Sequence, residues 1–135
     1  MDMLPSDSDG SSHAAQVSHQ NLRATLVSSD LDLLRGTLDV LVLKSLVFGA
    51  RHGYDVARWI FDTSKETLVV DEGALYTSLH RMENRGWLES EWGISDNNRR
   101  AKFYQLTAKG RAQLKRSSAD WTRYAEAVFL VLRAV

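Results

Sequence analysis

The chain contains no cysteine. This excludes disulfides, thiolate metal sites and cysteine nucleophiles, and is compatible with a reducing compartment. Its only proline, Pro5, lies in an opening stretch, MDMLPSDSDG, that is acidic and has no apolar h-region, so no secretory signal is expected there. No run approaches the roughly 18 apolar residues needed to cross a bilayer. Catalytic signatures are missing as well: GxSxG, HExxH, GxxxxGK[ST] and GxGxxG do not occur. The four histidines, His13, His19, His52 and His80, fall in separate segments, and no carboxylate pair marks an evident cleft. No catalytic residue, metal site or cofactor is therefore assigned, and an enzyme is not expected. For His13 and His19, a place in a polar arm is a better reading than a shared metal.

An excess of charge is lacking too, with 17 basic against 17 acidic residues over 135 positions. That balance at first argues against a polyanionic partner, but its distribution answers the objection. Residues 1–30 hold one Arg against four Asp, and 31–71 hold five basic against six acidic residues. Residues 72–116 hold nine basic against five acidic, and 117–135 hold two of each. A neutral chain with one basic segment can still carry an electrostatic footprint for phosphates. With 44% hydrophobic residues, one ordinary soluble domain with a tail is expected. The surface-to-volume ratio at this length favours association with a second copy.

Residues 1–30 are polar and without a sustained period, which predicts a flexible arm. From Leu31 the pattern changes. Leu34, Leu38, Leu41, Val42, Ser45 and Leu46 follow helical spacing up to Phe48–Gly49, and Leu33, Val40, Leu43 and Val47 add a second apolar stripe. A helix apolar on most of its circumference must be buried on two sides, one of which can face a partner. After a turn at 49–53, Tyr54, Ala57, Ile60 and Phe61 mark a second helix to about Asp62. Leu68–Val70 suffices for a small edge strand only. A third helix starts at Asp71 or Glu72, with Glu72 as a capping residue, and runs to about Asn84 with Leu75, Leu79 and Met82 facing inward. Gly86 is placed to end it.

Residues 87–92 and 102–106 read as two strands around the turn residues Asp96-Asn97-Asn98. Thr107 can cap a last helix from Ala108, on which Leu114, Trp121, Val128 and Val135 recur every seven residues, with Ala125 and Leu132 beside them. Such a repeat is a helix-pairing seam. The expected fold is mainly α with a small β-hairpin wing: a winged helix-turn-helix over 31–107 and a dimerisation helix over 108–135.

In this layout a helix can enter a DNA groove while the hairpin lies along the phosphates. With Leu75, Leu79 and Met82 inside, Gly73, Tyr76, Thr77, His80, Arg81 and Asn84 face outward or flank the core. Thr, Arg and Asn are side chains that read base edges in the major groove. Half-buried packing is the plainer alternative for Tyr76, and a solvated or packed imidazole for His80. Asn98, Arg99, Arg100 and Lys102 follow the hairpin turn and can track the backbone, although a basic turn is often just a solvated loop. Trp59, Trp87 and Trp92 fit core or strand-face packing. Trp121 sits on the seam with Leu34, Leu114, Ala125, Val128 and Leu132 as further pairing candidates, and could line an effector pocket between copies; a core aromatic is its plainer role.

LLRGTLDVLVLKSL (33–46), RHGYDVARWI (51–60), GALYTSLHRMENRGWLESEW (73–92) and RRAKFYQLTAKGRAQL (99–114) together resemble the PadR-type transcriptional regulators over about residues 31–135. The resemblance implies a winged helix-turn-helix with a C-terminal dimerisation helix, acting as a homodimeric regulator and usually a repressor. It implies Tyr76, Thr77, His80 and Arg81 on the recognition helix, and Arg99, Arg100 and Lys102 in the wing. In the family a phenolic acid or a hydrophobic compound often releases the protein from DNA. Many members have Pro where this chain has Thr77, and a Gly-Arg-Pro-Arg wing where it has Asn98-Arg99-Arg100-Ala101. The single last helix is similar to the shorter branch of the family. A cytoplasmic dimer on an inverted-repeat operator is thus expected. The alternative is a winged-helix protein-interaction module without DNA binding, which the basic excess after the third helix disfavours.

Overall fold

The computed structural model describes residues 32–135, with side chains from Gly36 onward. The arm expected over 1–30, its His13 and His19, and the side chain of Leu34 lie outside the described residues. The elements in chain order are α1 (Asp32–Ser45), β1 (Arg51–His52), α2 (Gly53–Thr63), α3 (Glu72–Asn84), β2 (Leu88–Ile94), β3 (Arg100–Leu106) and α4 (Ala108–Arg133). The three strands form one antiparallel sheet in the order β1-β3-β2.

α1 buries Leu38, Val42 and Leu43, with Leu46 beside them just past its end, so Leu43 joins the same core as the first stripe instead of facing a separate partner. After Ser45 the chain tightens into turns, Leu46 N–H to the Leu43 carbonyl and Gly49 N–H to that of Leu46, and Gly49 takes a φ of 140° that other residues rarely adopt. α2 buries Val56 and Ile60 with Gly53 at its start, one position round from the stripe expected on Tyr54, which is exposed.

The small strand falls at Arg51–His52 and not at Leu68–Val70. Arg51 explains its position: the guanidinium donates to the Ser45 carbonyl at 2.8 Å and pairs with Asp55 at 3.0 Å, holding residues 51–52 beside Tyr104 and Phe103 of β3. Leu68 instead follows a tight turn in which Lys65 and Glu66 have positive φ and the Leu68 N–H is taken by Ser64 Oγ at 3.0 Å. Leu68 and Val70 pack on the core as irregular backbone.

α3 is capped at both ends. Asp71, not Glu72, is the N-cap, its Oδ2 accepting the Ala74 N–H at 2.9 Å, a contact of about 1 kcal/mol. At the other end Trp87 N–H reaches the Met82 carbonyl and Gly86 N–H that of Glu83, with Gly86 at φ 81°. Thr107 joins this corner to α4: its hydroxyl donates to the Gly86 carbonyl at 2.6 Å and accepts the Gly110 N–H at 2.9 Å. Gly110 must be glycine, because a Cβ there would collide with the Trp87 carbonyl. α4 then packs along α1 and runs on for 26 residues, about 39 Å at 1.5 Å per residue. Leu75, Leu79, Met82, Leu88, Tyr104 and Leu106 complete the core with α1 and α2.

Candidate nucleic-acid interface

α3 divides cleanly by face. Ala74, Leu75, Ser78, Leu79 and Met82 are buried, whereas Gly73, Tyr76, Thr77, His80 and Asn84 are exposed along an open, shallow surface. Gly73 lies in the first turn. Tyr76 is less free than its exposure suggests, because its phenol lies against Gly53: a Cβ on Gly53 would come within 2.5 to 2.7 Å of the ring and hydroxyl. The recognition-helix candidate is thereby seated on the start of α2, as a helix-turn-helix requires.

Arg81 departs from an outward-reading role. One of its guanidinium nitrogens donates to both carboxylate oxygens of Asp39, at 2.6 and 2.8 Å, and the Ser78 hydroxyl donates to the same carboxylate at 2.6 Å. Arg81 is therefore held against α1, with a quarter of its side chain accessible. Asp39 and Ser78 escaped the sequence reading, yet a signal existed. Ser78 lies among Leu75, Leu79 and Met82 on an apolar face, and a buried hydroxyl there needs a partner.

The hairpin register sets Leu88 opposite Leu106, Ser90 opposite Tyr104, Trp92 opposite Lys102 and Ile94 opposite Arg100. All eight share one face by the period of two. Burial falls along it, from Leu88 and Leu106 in the core to Trp92 and Ile94, which are 57% and 64% exposed. Near its middle Glu83 of α3 accepts the Ser90 hydroxyl at 2.6 Å and pairs with Lys102 at 3.4 Å. The Ser90 hydrogen bond, aided by Lys102, lowers the Glu83 pKa against the opposing effect of burial. Burial raises that of Tyr104. Lys102 is thus occupied in fastening the wing to α3. Beyond it, Arg100 lies over the Trp92 ring at 4.4 Å, and Asn98, with φ 62°, and Arg99 form the exposed tip.

On α4, Leu114 packs against the core, and the Trp121 indole N–H donates to Thr37 Oγ1 at 2.8 Å within the same chain. Ala125 and Val128 are half-buried, and Leu132 is exposed along with Phe129, Leu130, Val131 and Val135. Among the described residues no group of three or more His, Asp or Glu could hold a metal ion, and no helix is long and apolar enough to cross a membrane.

The profile of the Transcriptional regulator PadR-like family matches residues 42–116, from the last turn of α1 to the third turn of α4. An uncharacterised protein of Lysinibacillus sphaericus is 28% identical over 105 residues, covering 77% of this chain and 95% of that protein. The crystal structure of a PadR family transcriptional regulator from Eggerthella lenta superposes with a TM-score of 0.66 at 27% identity, over 87% of this chain and 97% of that one. A transcriptional regulator from Clostridium thermocellum gives a TM-score of 0.64 at 27% identity, over 72% of this chain and 94% of that one.

Proposed function

Because the chain belongs to the PadR-like family of transcriptional regulators, we propose that it is a cytoplasmic homodimeric repressor that binds an inverted-repeat operator and leaves it when a small hydrophobic or phenolic compound binds between the subunits. As a member of that family it is a DNA-binding regulator of transcription and not an enzyme. The observation that carries the reading is the division of α3. Thr77, His80 and Asn84 lie exposed on α3, Arg99 and Arg100 lie exposed at the end of the wing that Glu83 fastens to this helix, and the opposite face of α3 is buried. Thr77 and His80 read bases, with Tyr76 and Gly73 near the phosphates; Arg99 and Arg100, with Asn98 beside them, hold the backbone. Arg81 and Lys102 contribute charge and set the positions of α3 and the wing. The exposed apolar end of α4, together with Val128, supports pairing through a second copy, with half-sites about 34 to 36 Å apart. Trp121 supports an effector contact, as a partly exposed indole on that helix.

Selection of bound sites from random DNA, with and without phenolic and aromatic compounds, tests the reading directly. It expects an enriched palindrome that weakens with a compound; no enriched sequence would remove specific regulation. Arg99→Ala should then lower the salt slope of binding by about 1 for the lost phosphate contact, while leaving base preferences unchanged.

A further inference from the structure

We propose that Trp92 is a positioning residue for DNA binding, whose indole face holds the Arg100 guanidinium ready for a phosphate. The proposal rests on the reading of the wing as a DNA contact. Its starting point is an exposed tryptophan with no place in the core. Trp92 shares a sheet face with Lys102, directly opposite, and with Arg100, one pair nearer the tip. The two cations are treated differently. Lys102 meets the Glu83 carboxylate, which offsets its charge and ties it to α3. Arg100 meets a neutral ring at 4.4 Å, the shortest cation–ring distance among the described residues, and pairs with no carboxylate there.

The difference matters to a phosphate. A carboxylate partner would fix the guanidinium but cancel the field that attracts DNA. An indole face fixes it and leaves the whole charge in place. A cation–ring contact needs none of the N–H donors as hydrogen-bond partners, which leaves them free for the two oxygens of a phosphate. Ordering a long side chain before binding removes a penalty otherwise met on the DNA. Trp92 thus acts through Arg100 and not by reading bases.

A double-mutant cycle on a random-sequence duplex at low salt tests this, because phosphate contacts need no particular sequence. Trp92→Ala should weaken binding about two- to fivefold, the size of an exposed cation–π contact. Arg100→Ala should weaken it more and lower the salt slope by about 0.9. The double variant should match Arg100→Ala alone. Trp92→Phe should stay near wild type and Trp92→Leu should behave like Trp92→Ala, with thermal melts confirming that each variant folds. Losses that simply multiply, a Leu variant that binds like wild type, or tighter binding by Trp92→Ala would each overturn the positioning role. A wild-type chain that binds no duplex would overturn the DNA reading itself, and is distinguishable from those outcomes.

Discussion

The head of this chain, from α1 to β3, and the last two turns of α4 put their apolar side chains in opposite places. In the head, Leu43, Leu75, Leu79 and Met82 are almost fully enclosed, and its exposed apolar side chains, such as Phe48, Tyr54 and Trp92, lie on separate segments. In the tail, Phe129, Leu130, Val131 and Leu132 are half or more exposed. The head satisfies itself, since α3 is capped, its Arg81 and Glu83 are paired with other elements, and the sheet packs against the helices. In the tail Arg133 lies over the Phe129 ring at 5.2 Å, yet the apolar side chains there stay exposed among the described residues. Such a helix end fits the pairing with a second copy proposed above.

The contrast can be broken most forcefully inside the head. Leu79→Ala should cost about 2 to 5 kcal/mol, read as a fall in the unfolding midpoint, because its site is completely enclosed. The same truncation at exposed Leu130, made in a chain that also carries Val128→Asp and Leu132→Asp, should change the midpoint free energy by under about 0.5 kcal/mol. Comparable losses at the two sites would erase the distinction.

Next in size is the paired variant Val128→Asp with Leu132→Asp. Sedimentation should show a monomer whose operator affinity has dropped about a hundredfold, with the head still folded by circular dichroism. A dimer mass that survives both charges would move the pairing surface away from the tail.

Asp39→Ala sharpens the comparison from the head's side. It strips Arg81 and Ser78 of a shared acceptor at 2.6 to 2.8 Å and should cost about 1.5 to 3 kcal/mol in a thermal or urea melt. A loss below half of that would mean that Arg81 finds another partner, and would return it to the candidates for base contact.

The smallest effect is set by pH. Glu83 has a lowered pKa in the folded protein, so it binds a proton less readily than in the unfolded chain. Its contribution is present above the unfolded carboxylate value, about 4.3, and fades as pH falls through the folded one. Because Ser90 is the largest cause, the stability gap between wild type and Ser90→Ala should be widest near neutrality and narrow in acid. An equal gap at both ends would assign the Ser90 hydrogen bond no part in the shift.

Much of this architecture was legible residue by residue. The caps and terminators are local chemistry: Thr107 and Gly86 stand where their spacing predicts, and the turn residue Asn98 adopts the positive φ its type tolerates. The helical period of Leu75, Leu79 and Met82 identified the inner face of α3. What the residues alone leave out are partners distant in sequence. Arg81 looks like a base reader until Asp39, 42 residues earlier, takes both of its short contacts. Lys102 looks like a free wing cation until Glu83 faces it. For Trp92, core and strand-face packing were both open from the residues, and the length of the hairpin carries it beyond the core onto the strand face.

The sequence by itself determined where the four helices and the hairpin lie, which face of α3 turns inward, and where basic charge gathers. Those outcomes follow from hydrogen bonds and periodicities spanning a few residues. The tertiary structure decided which cations remain available to a polyanion, that a two-residue strand forms at Arg51–His52, and that the apolar end of α4 stays uncovered among the described residues. Each of these depends on groups that folding alone brings within reach. Paired charges cancel and buried side chains become inaccessible only when that approach has been made.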